Sequence, residues 1–260
     1  MLVVTLNREP LNEIGDAQVA AFLALADHLH AGAGGACAAL ITSERAGGFC
    51  AGADLRALYA GLLAVPNASR ARDAVSSFLD RVHAAFDAID GSPVPVVGAL
   101  HGVVFGGGFE LALCCDVLVA DRSARFGFPE LRLGLIPGFG GLPRLARDVG
   151  NAVARDLLLT GRTLGAERAY ALGLVSQLVP RGEAVAAGLA VAQQMARFDR
   201  DVVGLAKAFV KPIPKETLLQ EKALFLRLVG EPRVQEALRR FVESKDTRPY
   251  LPGSGALSGE

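Results

Sequence analysis

Residues 94–120 read VPVVGALHGVVFGGGFELALCCDVLVA, and the way this run divides decides the fold. It is the most apolar stretch of the chain, yet His101, Glu110 and Asp116 interrupt it and glycines stud it. A helix that crosses a bilayer needs about 20 consecutive apolar residues with few or no charges, so the run is not a membrane span. It divides into a strand over residues 94–100, a glycine-opened helix after Phe105, and a second strand over 117–120.

Outward from this run, short apolar segments alternate with helical patterns, which favours an α/β class over all-α or all-β. Further strands are expected at residues 2–6, 38–42 and 175–179. Val19, Phe22, Leu23, Ala26 and Leu29 keep helical spacing, and so do Val75, Phe78, Leu79, Val82, Phe86 and Ile89. Residues 57–72 have mixed composition around Pro66 and Asn67 and are expected to form an irregular connection bordering the site. After Asn151 helical patterns take over, punctuated by Pro212, Pro214 and Pro232. The division expected is a core over 1–195 that carries the site, followed by a helical C-terminal region over 196–260.

The chain has 260 residues, with 27 basic and 27 acidic side chains well mixed, no Trp and three Tyr. A nucleic-acid partner would need a basic stripe with interleaved aromatics, which is missing. Cys37, Cys50, Cys114 and Cys115 lack metal-ligand spacing, and the adjacent pair in an apolar run reads as small core residues rather than a disulfide framework. The opening MLVVTLNREP alternates like a strand and lacks the basic, apolar and small-residue regions of a signal peptide. A cytoplasmic protein is expected.

Three motifs carry the chemistry. In Phe49-Cys50-Ala51-Gly52-Ala53-Asp54-Leu55, small residues allow close approach to the backbone, and N–H groups at a helix start favour negative charge. A tight turn with Asp54 as helix cap explains that stretch equally well. In Phe105-Gly106-Gly107-Gly108-Phe109-Glu110, three glycines open a helix and Glu110 falls in its first turn, where the dipole favours the ionised form. Close packing at the glycines is the alternative there, and the Lys-Ser/Thr ending of a phosphate loop is missing. The third motif is Phe126-Gly127-Phe128-Pro129-Glu130, followed by Gly134-Leu135-Ile136-Pro137-Gly138-Phe139-Gly140-Gly141. A carboxyl among apolar residues has a raised pKa unless a partner ionises it, which suits proton transfer near neutral pH.

In this order and spacing, together with Leu6-Asn7-Arg8, Pro10, Asn12, Gly47-Gly48 and residues 157–169, the motifs resemble the crotonase (enoyl-CoA hydratase/isomerase) family over nearly the whole chain. The resemblance implies a spiral of ββα turns with a helical C-terminal subdomain that supports homotrimers, commonly paired into hexamers. It implies an oxyanion hole from the N–H groups of Ala53 and Gly107, where losing one donor typically lowers the rate on the order of 100-fold. It makes Glu110 the base on water, Glu130 the proton donor to Cα, and Gly138 a further N–H donor to that water. Ala51, Arg56 and Lys245 are the implied coenzyme A contacts, with Lys245 reaching across a subunit boundary. An exposed basic residue is the plainer reading of Arg56.

Relative to the family, Phe128 stands where a polar residue is frequent and Phe139 where smaller residues are common, so both are expected to narrow the acyl pocket. The chain opens at what looks like the family's second strand. The resemblance implies hydration of a trans-2-enoyl-CoA, or dehydration of the 3-hydroxyacyl-CoA, by a lyase with no metal or redox cofactor. A double-bond isomerase or a dehydratase for a specialised acyl-CoA or acyl-carrier thioester is the alternative within the fold, and a non-catalytic thioester-binding scaffold the alternative outside it. Lys207, Lys211, Lys215 and Lys222 read as a solvated face, His101 as a turn cap, and Asp116 and Asp121 as element ends. The apolar stretch 218–229 is the expected subunit contact, with burial inside its own subunit as the other reading.

Overall fold

The structure is a computed structural model that describes residues 1–65 and 67–244. In chain order the elements are β1 (Leu2–Leu6), α1 (Asp16–His30), β2 (Ala39–Ser43), β3 (Gly48–Cys50), α2 (Leu55–Ala64), α3 (Ala68–Asp90), β4 (Val96–Leu100), β5 (Val103–Phe105) and α4 (Gly107–Ala112). There follow β6 (Val117–Asp121), β7 (Arg125–Gly127), a 3₁₀ turn over Pro129–Leu133, α5 (Gly141–Val149), α6 (Asn151–Thr160), β8 (Leu164–Gly165), α7 (Ala166–Ala171) and β9 (Gln177–Val179). Four helices follow to the end of the described residues: α8 (Ala184–Met195), α9 (Arg200–Val210), α10 (Lys215–Leu228) and α11 (Pro232–Glu243).

The strands form two sheets, ordered β1-β2-β4-β6-β9 and β3-β5-β7-β8. Each turn of the chain adds one strand to each sheet before its helical segment, so β2-β3, β4-β5 and β6-β7 stack as successive ββα turns of a spiral. All pairings are parallel except β7 with β8. The central strands β2, β4 and β6 of the first sheet are buried on both faces, which explains their near-continuous apolar sequence. Leu40, Val97, Ala99 and Val119 face α8, whereas Ile41, Val96, Leu100 and Ala120 face the main core. This is the period-two alternation of a strand realised between two apolar layers.

The run at 94–120 divides as expected, with β5 added between β4 and the glycine-opened helix. Residues 57–72 do not form an irregular connection. They lie mostly in α2 and the start of α3, capped by Asp54, which accepts from Ala57 N–H, and Asn67, which accepts from Arg70 N–H. The polar caps that looked like loop composition are helix starts.

The lysine reading is also corrected. Lys207 is buried and pairs with Asp116 at 2.8 Å, while Lys211 pairs with Asp90 at 2.9 Å and Asp116 at 3.2 Å and donates to the carbonyls of Cys114 and Cys115. Lys222 is paired with Asp80, and Lys215 alone of the four is exposed. Asp116 thus anchors α9 as well as accepting from Val96 N–H. The stretch 218–229 turns inward: Leu218, Phe225 and Val229 are buried within the subunit. Exposed apolar side chains gather on and beside α9, where Phe198, Val202, Leu205, Phe209 and Val210 all stand in solvent, and Leu219 of α10 is exposed as well.

Candidate active site

The segment 51–54 is laced to the N-terminal loop by backbone hydrogen bonds, Ala51 N–H to Leu11 C=O, Ile14 N–H to Gly52 C=O, and Asp54 N–H to Ile14 C=O. Asn12 props that loop from beneath. Its side chain donates to Ser43 Oγ and to Phe49 C=O, both at 2.8 Å, and accepts from Arg8 N–H at 2.7 Å. Because the residues on either side of Ala53 face Ile14, the Ala53 N–H points the other way. Gly107 is the first residue of α4, where an N–H has no intrahelical acceptor. The two meet: a Cβ on Gly107 would lie 3.4 Å from the Ala53 nitrogen. A pair of free N–H donors side by side is a receptor for a developing oxyanion.

The glycines before Glu110 serve the approach rather than flexibility. A Cβ on Gly106, which also has a φ of 49°, would strike Glu130 Oε1, and one on Gly108 would strike the Cys50 carbonyl. Both readings of the glycine run, close packing and exposed donors, hold at once.

Glu110 is buried in α4, and its Oε1 accepts from Phe139 N–H at 2.7 Å and Gly141 N–H at 2.9 Å. Burial pushes its pKa up to about 7, against the pull of those two donors and the Arg144 guanidinium. The helix dipole, expected to hold it ionised, is outweighed by desolvation. Glu130 sits in the 3₁₀ turn, with Oε2 buried and, among the described residues, without a hydrogen-bond partner. Burial and then the neighbouring Glu110 hold its carboxyl well above the ordinary range. A carboxyl near neutrality beside one that keeps its proton can divide the work of a base and an acid between them.

Sequence reasoning missed a third carboxylate. Glu221 of α10 is buried, with Oε1 accepting from Gly140 N–H at 2.7 Å and Oε2 from Leu142 N–H at 2.9 Å. The signal was present in the spacing: Leu218, Glu221, Phe225 and Val229 fall on one helical stripe, and a carboxylate on an apolar stripe calls for partners. Below the same loop lies Arg144, fully buried, which bonds Asp90 Oδ2 at 2.8 Å, pairs with Asp87, and donates to the carbonyls of Phe139 and Gly140. Burial alone would raise Asp90, but Lys211, Arg144 and Arg147 hold it below the usual range.

These groups border a cavity of about 1380 Å³ whose lining includes Ala53, Gly107, Glu110, Glu130, Gly138 and Phe139. Ala51 and Arg56 line it too, with Arg56 donating to the Val242 carbonyl at 2.6 Å. Gly138 C=O bonds His83 Nε2 at 2.8 Å. Phe128 is placed elsewhere: it is buried in the core, stacked on Phe109 at 4.8 Å, and does not line this cavity. Phe139 does line it, with its ring 6.0 Å from those of Phe78 and Phe86. Lys245 lies outside the described residues. Among the described residues there is no cluster of three or more metal-ligating side chains and no helix long and apolar enough to cross a membrane.

Paired buried carboxyls facing two free N–H groups make a site for moving protons on a carbonyl compound whose oxygen becomes anionic. The model of the family described as Enoyl-CoA hydratase/isomerase matches residues 1–248. A probable enoyl-CoA hydratase, echA8, of Mycobacterium tuberculosis is 35% identical over 216 residues, covering 80% of this chain and 78% of that protein. A human mitochondrial methylglutaconyl-CoA hydratase is 37% identical over 158 residues, 61% of this chain and 44% of that one. Among solved structures, a carnitinyl-CoA hydratase from Mycobacterium avium superposes with a TM-score of 0.77 at 27% identity, over 93% of this chain and 91% of that chain. The chain belongs to the enoyl-CoA hydratase/isomerase family and has its crotonase fold.

Proposed function

We propose that this enzyme adds water to a trans-2-enoyl-CoA, or removes it from the 3-hydroxyacyl-CoA, using Glu110 and Glu130 on one water. The observation that carries this reading is the meeting of two buried carboxyls with the N–H pair of Ala53 and Gly107 at one cavity. The thioester oxygen rests on the two N–H groups. Glu110 takes a proton from water as its oxygen bonds to Cβ, and the π electrons move onto the thioester oxygen as an enolate. Glu130 then protonates Cα as the enolate collapses. The cycle closes when the proton gained by Glu110 passes back to Glu130. Fixed dipoles aimed at the enolate act on the charge that develops in the transition state, which is where stabilisation raises the rate. No step draws on a metal or redox cofactor.

The end of the cavity beside Phe78, Phe139, Leu133 and Leu135 supports an alkyl acyl group, and Ala51 and Arg56 are proposed to meet the coenzyme A portion. We place the subunit contact of a homotrimer, or dimer of trimers, on the exposed apolar face of α9; sedimentation as a monomer at micromolar concentration would refute it. The function itself is tested with crotonyl-CoA by following loss of the conjugated-thioester absorbance. Turnover that disappears in both Glu110→Gln and Glu130→Gln supports it. An enzyme that leaves crotonyl-CoA intact but shifts the double bond of a 3-enoyl-CoA is an isomerase instead.

A further inference from the structure

The loop from Gly138 to Leu142 is gripped by two carboxylates in alternation. Glu110 takes the N–H groups of residues 139 and 141, and Glu221 takes those of 140 and 142. Four consecutive donors at the start of α5, which would otherwise be unsatisfied there, are shared between α4 and the distant α10. The seat of Glu110 is therefore made by a loop whose other face is held from the C-terminal helices.

We infer that Glu221 is a positioning residue for Glu110: from α10 it fixes the loop whose N–H groups aim the catalytic carboxylate. This rests on the hydration reading for the role of Glu110, though not for the geometry. Both oxygens of Glu221 accept from loop N–H groups, while burial and then the neighbouring Glu110 push its pKa well above the ordinary range against the pull of those two donors. The charged groups around it are Glu110 on α4, Arg144 on α5, Asp80, Asp87 and Asp90 on α3 with the neighbouring His83, and Lys222 on α10 itself paired with Asp80. Arg144 is committed to Asp87 and Asp90. Repulsion from Glu110 adds to burial in raising the proton affinity of Glu221.

The test compares Glu221→Gln, which keeps shape but only one accepting oxygen, with Glu221→Asp, which keeps both oxygens and withdraws them by one methylene. The ionisation of Glu110 is read directly by carbon-13 NMR of carboxyl-labelled glutamate, its resonance identified by its loss in Glu110→Gln. In Glu221→Gln the Glu110 midpoint is expected to rise, because a loosened loop withdraws the Phe139 and Gly141 N–H groups that pull it down. In Glu221→Asp kcat for crotonyl-CoA falls about tenfold or more with KM little changed, because small misplacements of a reacting group are expensive. A Glu110 midpoint unmoved in Glu221→Gln, or wild-type kcat in Glu221→Asp, overturns the inference and leaves Glu221 a packing strut. A wild-type enzyme inert toward crotonyl-CoA would instead defeat the hydration reading, and the NMR comparison would still decide the role of Glu221. Should Glu221→Gln fail to fold, the Glu221→Asp kinetics carry the decision.

Discussion

Replacing Glu110 with Gln is expected to abolish activity and to stabilise the protein, with the second effect confined to high pH. The Gln side chain keeps one carbonyl oxygen that can accept from Phe139 and Gly141 N–H, so the loop stays seated, while its amide takes the place of the reactive oxygen. Loss of a general base lowers kcat by about 100- to 10,000-fold. The stability term comes from burial, which raises the Glu110 pKa from 4.5 to about 7. That difference corresponds to roughly 3 kcal/mol, at about 1.4 kcal/mol per tenfold change in proton affinity.

Its sign follows from proton counting. Between pH 4.5 and 7 the folded protein still holds the Glu110 proton, whereas the unfolded chain has released it, so stability falls as pH climbs through this window. A neutral Gln has no such loss. Glu110→Gln should therefore melt several degrees above wild type at pH 8, at about 2–4 °C per kcal/mol for a chain of this size, and close to wild type at pH 4.5. Differential scanning calorimetry at the two pH values, beside crotonyl-CoA kinetics, checks both halves. An equal melting difference at both pH values would refute the buried-charge account, and a near-wild-type hydration rate would refute the base assignment. The same pKa predicts that wild-type kcat rises with pH through about 7, as Glu110 becomes ionised.

Phe139→Ala should shift acyl preference toward longer or branched chains in a chain-length series, by roughly 1–3 kcal/mol for each well-placed methylene, and destabilise the fold by about 3–5 kcal/mol in denaturant titrations. The same substitution at Phe128 should destabilise without moving the chain-length profile, because that ring packs on Phe109 away from the cavity. Gly107→Ala would place its Cβ 2.7 Å from the Phe139 ring, and a kcat loss of about 100-fold is expected as the donor pair is displaced; combination with Phe139→Leu should recover part of it. Arg144→Leu strips a buried partner from Asp90 and should lower stability by about 3–5 kcal/mol in the same titrations.

The parts of the fold legible in the sequence were those governed by local pattern. Strands buried on both faces announce themselves as short apolar runs, and the stripes of α1 and α3 by their spacing. The connection at 57–72 was misread because the same polar residues that end a helix also begin one. Asp54 and Asn67 are caps, and only the backbone around them tells a helix start from a loop. The lysines of α9 were misread for a different reason. A buried cation is stable only if its anion is already in place, and Asp90 and Asp116 lie about a hundred residues earlier in the chain. No window of sequence contains both partners.

The same distinction divides the site. Ala53, Gly107, Glu110 and Glu130 lie on three short motifs whose order and spacing carry the family resemblance, and the fold brings all four to one cavity. Glu221 could be placed on a buried stripe by its spacing, but its partners Gly140 and Leu142 lie about 80 residues away. Yet its helix places Phe225 in the cavity lining and Glu221 on the loop that seats the base. The C-terminal helices are therefore part of the construction of the active site: Phe225, Val229, Val234 and Leu238 join the main core rather than a separate one. Three carboxyls buried around one loop are individually unfavourable, and the excess proton affinity that results is what a general base and a general acid need near neutral pH. A loosely attached C-terminal region would let water in, relax Glu110 toward an ordinary carboxylate, and remove its power as a base.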